Sequence, residues 1–197
     1  MTKVIKWLYR DNQTRNSGTA WELWDGHITA DHVFKGARHS VPHFAAPPVQ
    51  RIAGFIDACM FGCKLPLQRP RDPIEGEECT VSGYPAGCGT LEHRYAKVLF
   101  KRPEHEDARG HEYATTGWIG QIDQPRVPFA PDSTLFDAVY GGMSGGLVSA
   151  RDGTPLGVLV TQNGLADLDG DGVSDDSFDF VALSQIWEAF TNADLVA

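Results

Sequence analysis

The chain has 197 residues, 42% of them apolar, and a formal net charge of −9. That apolar share can fill a core, which excludes a disordered chain. The acidic balance repels polyanions, so no nucleic-acid partner is expected and a neutral or basic polypeptide suits the charge better. No segment approaches the roughly 20 apolar residues of a membrane span, so no membrane partner is expected.

In chain order, short apolar runs are cut by Gly, Pro and Asp, which is the pattern of an all-β protein built from many short strands. The start, Met1 to Arg10, has basic residues but no long apolar stretch and no cleavage site. It does not read as a secretory leader, and the expected location is cytoplasmic. Strands are expected at Lys3–Leu8, Ser17–Leu23, His27–Thr29, Ile52–Ile56 and Glu78–Ser82. Further strands are expected at Arg94–Phe100, Glu112–Ile119, Gly146–Ser149, Pro155–Thr161 and Phe178–Ala182. The Pro-rich stretch Val41–Pro48 reads as a surface loop, and Asp152-Gly153 as a hairpin turn. From Leu183 to Asp194, helical spacing sets Leu183, Ile186, Trp187 and Phe190 on one face, with Ser184 as a cap. That face is expected to pack on the sheet that precedes it.

Four cysteines occur, Cys59, Cys63, Cys79 and Cys88. Without an export signal, reduced and buried thiols are the default. The spacing offers no C-x2-C pair for zinc. Cys79 and Cys88, with Gly83, Pro85 and Gly87 between them, are the pair best placed for a disulfide.

The run Gly141-Gly142-Met143-Ser144-Gly145-Gly146 carries the most chemistry. Glycines beside a serine let a carbonyl substrate reach the backbone, where N–H groups can converge on an oxyanion. The serine still needs a base to take its proton. Gly142 to Gly146 also fits G-x-S-x-G, but the fold that uses that elbow places its histidine after the serine. The last of the seven histidines here is His111. A partner histidine therefore has to come from upstream.

Upstream, Thr29-Ala30-Asp31-His32 resembles the T-A-x-H signature of trypsin-like serine peptidases. Ser17-Gly18-Thr19-Ala20-Trp21 is similar to the strand before it. Asp57-Ala58-Cys59-Met60 is similar to the family's acidic strand. Thr80-Val81-Ser82-Gly83-Tyr84-Pro85 resembles its G-Y-P turn, and Pro155 to Val160 its cleft strand. The resemblance runs from about Ser17 to the C-terminus. It implies an all-β fold of two six-stranded antiparallel β-barrels with a C-terminal α-helix. Residues 1–100 would carry the histidine and aspartate, residues 101–197 the serine, and the polar stretch Lys101–His111 would join them. It implies a serine endopeptidase acting on a polypeptide substrate. Ser144 would be the nucleophile, His32 the base and Asp57 its orienting partner. The N–H groups of Gly142 and Ser144 would form the oxyanion hole. Asp72 and Asp31 are weaker orienting partners: Asp72 heads no apolar strand, and Asp31 adjoins His32 in sequence.

Met143 departs from the family. Zymogen-activated relatives carry an aspartate there that pairs with a freed N-terminus. With Met143 in that place and no recognisable pro-segment, activity as translated is expected. By the family pattern, Ala138 lies at the base of the primary pocket and Thr161 on a wall, beside Asn163. This implies a small or medium apolar preference, although Asp137, one step away, would favour a basic side chain.

A separate signal is Asp167-Leu168-Asp169-Gly170-Asp171-Gly172-Val173-Ser174-Asp175-Asp176. Alternating aspartates followed by glycine match the first half of a calcium loop. Asp167, Asp169, Asp171 and Asp175 would give carboxylate oxygens and Val173 its carbonyl, with Asp176 or Asp179 completing the shell. Phe178 stands where an EF-hand would have glutamate, and the run is more similar to thrombospondin type 3 repeats. A Ca2+ ion there would order one wall of the cleft. The alternative is a solvated acidic loop. For the whole chain, the second reading is a catalytically silent β-barrel module that binds a peptide or a regulatory protein partner.

Overall fold

A computed structural model describes residues 4–10, 15–36, 49–51, 56–85, 90–101, 117–122, 143–172 and 174–194. The chain opens with a hairpin of β1 (Val4–Arg10) and β2 (Arg15–Leu23), paired from Val4–Trp21 to Arg10–Arg15. β2 turns directly into β3 (Gly26–Thr29) through Trp24 and Asp25, both at positive φ (49° and 65°). Two positive φ values in a two-residue loop make a type I′ turn, whose twist suits a hairpin. A short helix α1 (Asp31–Gly36) follows, then β4 (Val49–Arg51) and β5 (Cys59–Phe61). The first sheet runs in the order β1-β2-β3-β5-β4. β3 and β5 press together tightly: a Cβ on Gly26 would lie 2.2 Å from the Phe61 carbonyl oxygen.

The second sheet closes on itself. Its strands are β6 (Glu78–Gly83), β7 (Glu92–Lys101), β8 (Trp118–Ile122), β9 (Leu147–Ala150), β10 (Pro155–Ala166) and β11 (Asp175–Ala182). They form a six-stranded antiparallel barrel in the cyclic order β10-β11-β8-β7-β6-β9. Its interior holds Val81, Val98, Met143, Val148, Leu156, Phe178 and Phe180, among others. Full burial of an apolar side chain of this size is worth about 1.5–3 kcal/mol.

Helix α2 (Leu183–Asp194) ends the described chain and has the expected bounds. A second apolar cluster joins the two sheets. It draws Trp21, Ile28 and Met60 from the first, Val33 from α1, Leu147, Val158 and Val181 from the barrel, and Leu183, Ile186 and Phe190 from α2. The helix packs on β10 and β11 of the barrel, and its apolar face belongs to this shared cluster. The fourth member of its expected apolar face, Trp187, is partly buried and donates its indole N–H to the Pro66 carbonyl at 2.9 Å.

Three expectations change. The fold is all-β with one closed barrel; the first sheet has five described strands, while residues 37–48 and 52–55 lie outside the described residues. The sheets divide earlier than residue 100, because β6 and β7 pair with β8 and β9 inside the barrel. Lys101 ends β7 within that barrel, and the segment joining the sheets runs from Phe61 to Glu78. Ser184 does not cap α2. Its hydroxyl donates to Asp72 Oδ1 at 2.6 Å, and Gln185 Oε1 accepts from the Ala182 N–H at 3.0 Å instead. Cys59, Cys63 and Cys79 are buried, in keeping with the default reading of reduced, buried thiols; Cys88, the other half of the candidate disulfide, lies outside the described residues.

Candidate active site

His32 is the second residue of α1, just beyond the end of β3. Asp57 occupies a tight three-residue turn, with Ala58 N–H donating to the Ile56 carbonyl at 2.8 Å, immediately before β5. The pairing of β3 with β5, Thr29 opposite Cys59, brings the two side chains together. Asp57 Oδ2 lies 2.6 Å from His32 Nδ1, and Asp57 Oδ1 accepts from the His32 backbone N–H at 2.9 Å. One carboxylate thus fixes both the ring and the main chain that carries it. The carboxylate is buried (side chain 4% exposed) and the imidazole is open (38%). A carboxylate at Nδ1 favours the tautomer that carries its proton there. Neither weaker orienting candidate takes this place. Asp72 is engaged by Arg69 and Ser184 on the segment between the sheets, and Asp31 lies in the first turn of α1.

Ser144 stands in a turn at the mouth of the barrel. Gly146 N–H donates to the Met143 carbonyl at 2.7 Å, so Ser144 and Gly145 are its central residues. Gly145 has φ +85°, which fits the third position of a type II turn and demands glycine there. The turn is held from both sides. Gly145 N–H donates to Leu159 O at 2.7 Å and Leu159 N–H to Gly146 O at 2.8 Å, both on the barrel side. From the first sheet, Thr19 N–H donates to the Ser144 carbonyl at 2.9 Å. A Cβ on Gly145 would sit 2.1 Å from Thr19 O and 2.2 Å from Thr29 Oγ1, so the turn packs directly on the strands leading to His32. Met143 is fully buried in the barrel core.

Thr19 was read in sequence only as part of a strand. It is fully buried and meets three segments. Besides donating to Ser144, its carbonyl accepts from Thr29 Oγ1 at 2.7 Å and its hydroxyl oxygen accepts from Tyr84 N–H at 2.9 Å.

A small pocket adjoins Ser144, lined by Val81, Ile122, Leu159, Thr161, Ser177 and Phe178. The volume open to the centre of a water molecule is about 20 Å³. Thr161 is among the lining residues, and the lining is mostly apolar with two hydroxyls. Sequence reasoning missed Ser177 and Phe178, which β11 brings beside the Ser144 turn by pairing with β10. Ala138, Asp137 and Gly142 lie outside the described residues.

In the acidic loop, one carboxylate oxygen from each of Asp167, Asp169 and Asp171 lies within 4.8 Å of the others, and all three residues are exposed. Asp167 accepts from Gly170 N–H at 2.8 Å and Gly172 N–H at 3.2 Å, which folds the loop around it. Asp175 begins β11 opposite Ala166; Val173 lies outside the described residues. Asp176 and Asp179 are buried along β11 and stand outside this group of three.

No helix among the described residues is long and apolar enough to cross a membrane. No protein-family model matches this sequence, and neither does any curated protein. Solved structures do match. The active form of the Rv3671c protease from M. tuberculosis aligns with TM-score 0.61 at 19% identity, covering 96% of this chain and 78% of that one. Kallikrein-related peptidase 10 in complex with Zn2+ aligns with TM-score 0.57 at 11% identity, covering 100% and 95%. An HtrA-type protease with a tripeptide aligns with TM-score 0.55 at 15% identity, covering 94% and 57%. With the barrel, the Asp57–His32 pair and the Ser144 turn already in view, these likenesses establish that the chain has the trypsin-like serine protease fold.

Proposed function

We propose that this chain is a serine endopeptidase. The observation that carries the reading is the double grip of Asp57 on His32, at Nδ1 and at the backbone N–H. A buried carboxylate that orients an exposed imidazole is what general-base catalysis requires, and a structural histidine has no need of it. In this reading the first sheet is the partner half of a two-barrel enzyme and the cleft lies between the halves. His32 Nε2 takes the Ser144 hydroxyl proton as Oγ attacks the substrate carbonyl. Asp57 holds the tautomer and stabilises the imidazolium, which then protonates the leaving amine. Water repeats the sequence on the acyl-enzyme. The N–H groups of Gly142 and Ser144 receive the oxyanion, a contribution of roughly 3 kcal/mol per donor. The small apolar pocket beside Ser144 supports a preference for a small or medium apolar side chain before the scissile bond.

Covalent labelling by a fluorophosphonate, together with hydrolysis of a peptide library, tests this. Wild type is expected to take one label per chain. Ser144→Ala and His32→Ala should abolish labelling and turnover, and Asp57→Asn should lower kcat by about 10⁴-fold. A folded wild type that takes no label and cleaves no peptide overturns the reading.

We also propose that the acidic loop takes a Ca2+ ion. The donor chemistry fits, since three clustered carboxylates repel one another unless a cation lies among them. Calcium wants six to eight oxygens, so backbone carbonyls and water would supply the rest. When bound, the ion would supply charge neutralisation and a fixed loop beyond β10. Millimolar Ca2+ is expected to raise the melting temperature of wild type and not that of an Asp167→Asn/Asp169→Asn/Asp171→Asn variant. Equal melting of wild type in calcium and in chelator rejects the ion.

A further inference from the structure

We propose that Thr19 is a positioning residue that sets Ser144 against His32 across the junction of the two sheets; the proposal rests on the peptidase reading above. Nucleophile and base belong to different sheets, so their separation is only as well defined as the contacts that join those sheets. Thr19 makes two of them, and a third hydrogen bond ties it to β3 of its own sheet, each through a different atom. Its N–H holds the Ser144 carbonyl (2.9 Å). Its carbonyl holds the hydroxyl of Thr29, three residues before His32 (2.7 Å). Its own hydroxyl oxygen holds the N–H of Tyr84, the residue following β6 (2.9 Å).

The path from Ser144 to His32 is therefore short: one hydrogen bond to Thr19, a second to Thr29, and three residues of chain. It is also tightly packed. Neighbouring Gly145 leaves no room for a Cβ against Thr19 O and Thr29 Oγ1. A Cβ on Gly83 would lie 3.1 Å from Thr19 Oγ1 and 3.2 Å from Met143, so the Thr19 side chain sits beside the base of the nucleophile turn. Thr19 is fully buried, as is Thr29, where competition from water is low and hydrogen-bond geometry is held. A misplacement of reacting groups by about 1 Å costs on the order of 10²-fold in rate. The backbone contact to Ser144 cannot be deleted by substitution, but the other two can, one by removing the Thr19 hydroxyl and one by removing that of Thr29. Valine has the shape of threonine without the acceptor, and its methyl cannot approach the Tyr84 N–H to 2.9 Å. The end of β6, Thr19 or the turn has to move.

The experiment compares wild type, Thr19→Val, Thr19→Ser and Thr29→Val for fluorophosphonate labelling rate, kcat and KM on one peptide substrate, and urea midpoint. Thr19→Val is expected to lower kcat and the labelling rate about 10- to 100-fold with KM within about twofold. Thr19→Ser, which keeps the hydroxyl, should restore most of the rate. Thr29→Val should behave like Thr19→Val. A folded Thr19→Val that labels at the wild-type rate overturns the proposal, and so does a loss confined to KM or one that serine does not restore. If Thr19→Val does not fold, Thr29→Val decides on the same criteria. A folded wild type that takes no label defeats the peptidase reading itself, a different result from a labelled wild type matched by its variants.

Discussion

Asp57, Thr19 and Cys63 show how much of the first sheet's character sits in single buried side chains. Cys63 lies just past β5, where its S–H donates to the carbonyls of His27 (3.4 Å) and Phe61 (3.8 Å). Burial pushes its thiol up from 9.0 to about 11. A raised value means that the native state keeps the proton where the unfolded chain has lost it. The associated stability is complete below about pH 9 and is lost as pH climbs toward 11. Urea midpoints measured from pH 7 to 11 should therefore fall more steeply above pH 9 in wild type than in Cys63→Val; parallel curves would contradict this. Individual residues were unevenly legible in the sequence. His32, Asp57 and Thr161 could be named because motif order marks them, and the structure joins the first two and places the third among the residues lining the pocket beside Ser144. Thr19 could not, because its importance lies in partners 10, 65 and 125 positions away, which no local pattern encodes.

Among the elements, α2 was the most legible and its start the least. The spacing of Leu183, Ile186 and Phe190 gives the helix and its buried face, and all three are buried. Its N-terminus follows β11 without a break, so the cap position falls on Ala182 and the N–H there is satisfied by Gln185, three residues on, as in half of a capping box. That freed Ser184 for Asp72, and the helix is further tied to the segment between the sheets by Arg69 Nε to Glu188 Oε1 at 2.7 Å. Because the helix face completes the cluster between the sheets, Ile186→Ala should destabilise the protein by about 2–5 kcal/mol. Equilibrium urea unfolding would measure it, and a loss below 1 kcal/mol would mean the helix is an appendage. Other elements hid for local reasons. α1 has six residues and β4 three, too few to show a period. Trp24 and Asp25 make a positive-φ turn that sequence assigns to Asn-Gly or Asp-Gly.

At the scale of the molecule, the sequence conveyed an all-β chain with a terminal helix and with histidine and serine in separate halves, but it misplaced the division. Composition marks Lys101–His111 as a linker, since it is polar and charged. Strand partnership is decided by register with distant strands instead: Cys79 with Ala150 and Ala96 with Ile122 commit β6 and β7 to the barrel. Turn residues report where strands stop; they carry no information about which ones meet.

The turn bearing Ser144 takes its shape from hydrogen bonds to Leu159 and Thr19, one later in the chain and one near its start. During synthesis the hydroxyl leaves the ribosome before β10 exists to frame it. The geometry of this turn is therefore complete only when the last third of the chain has clasped the first.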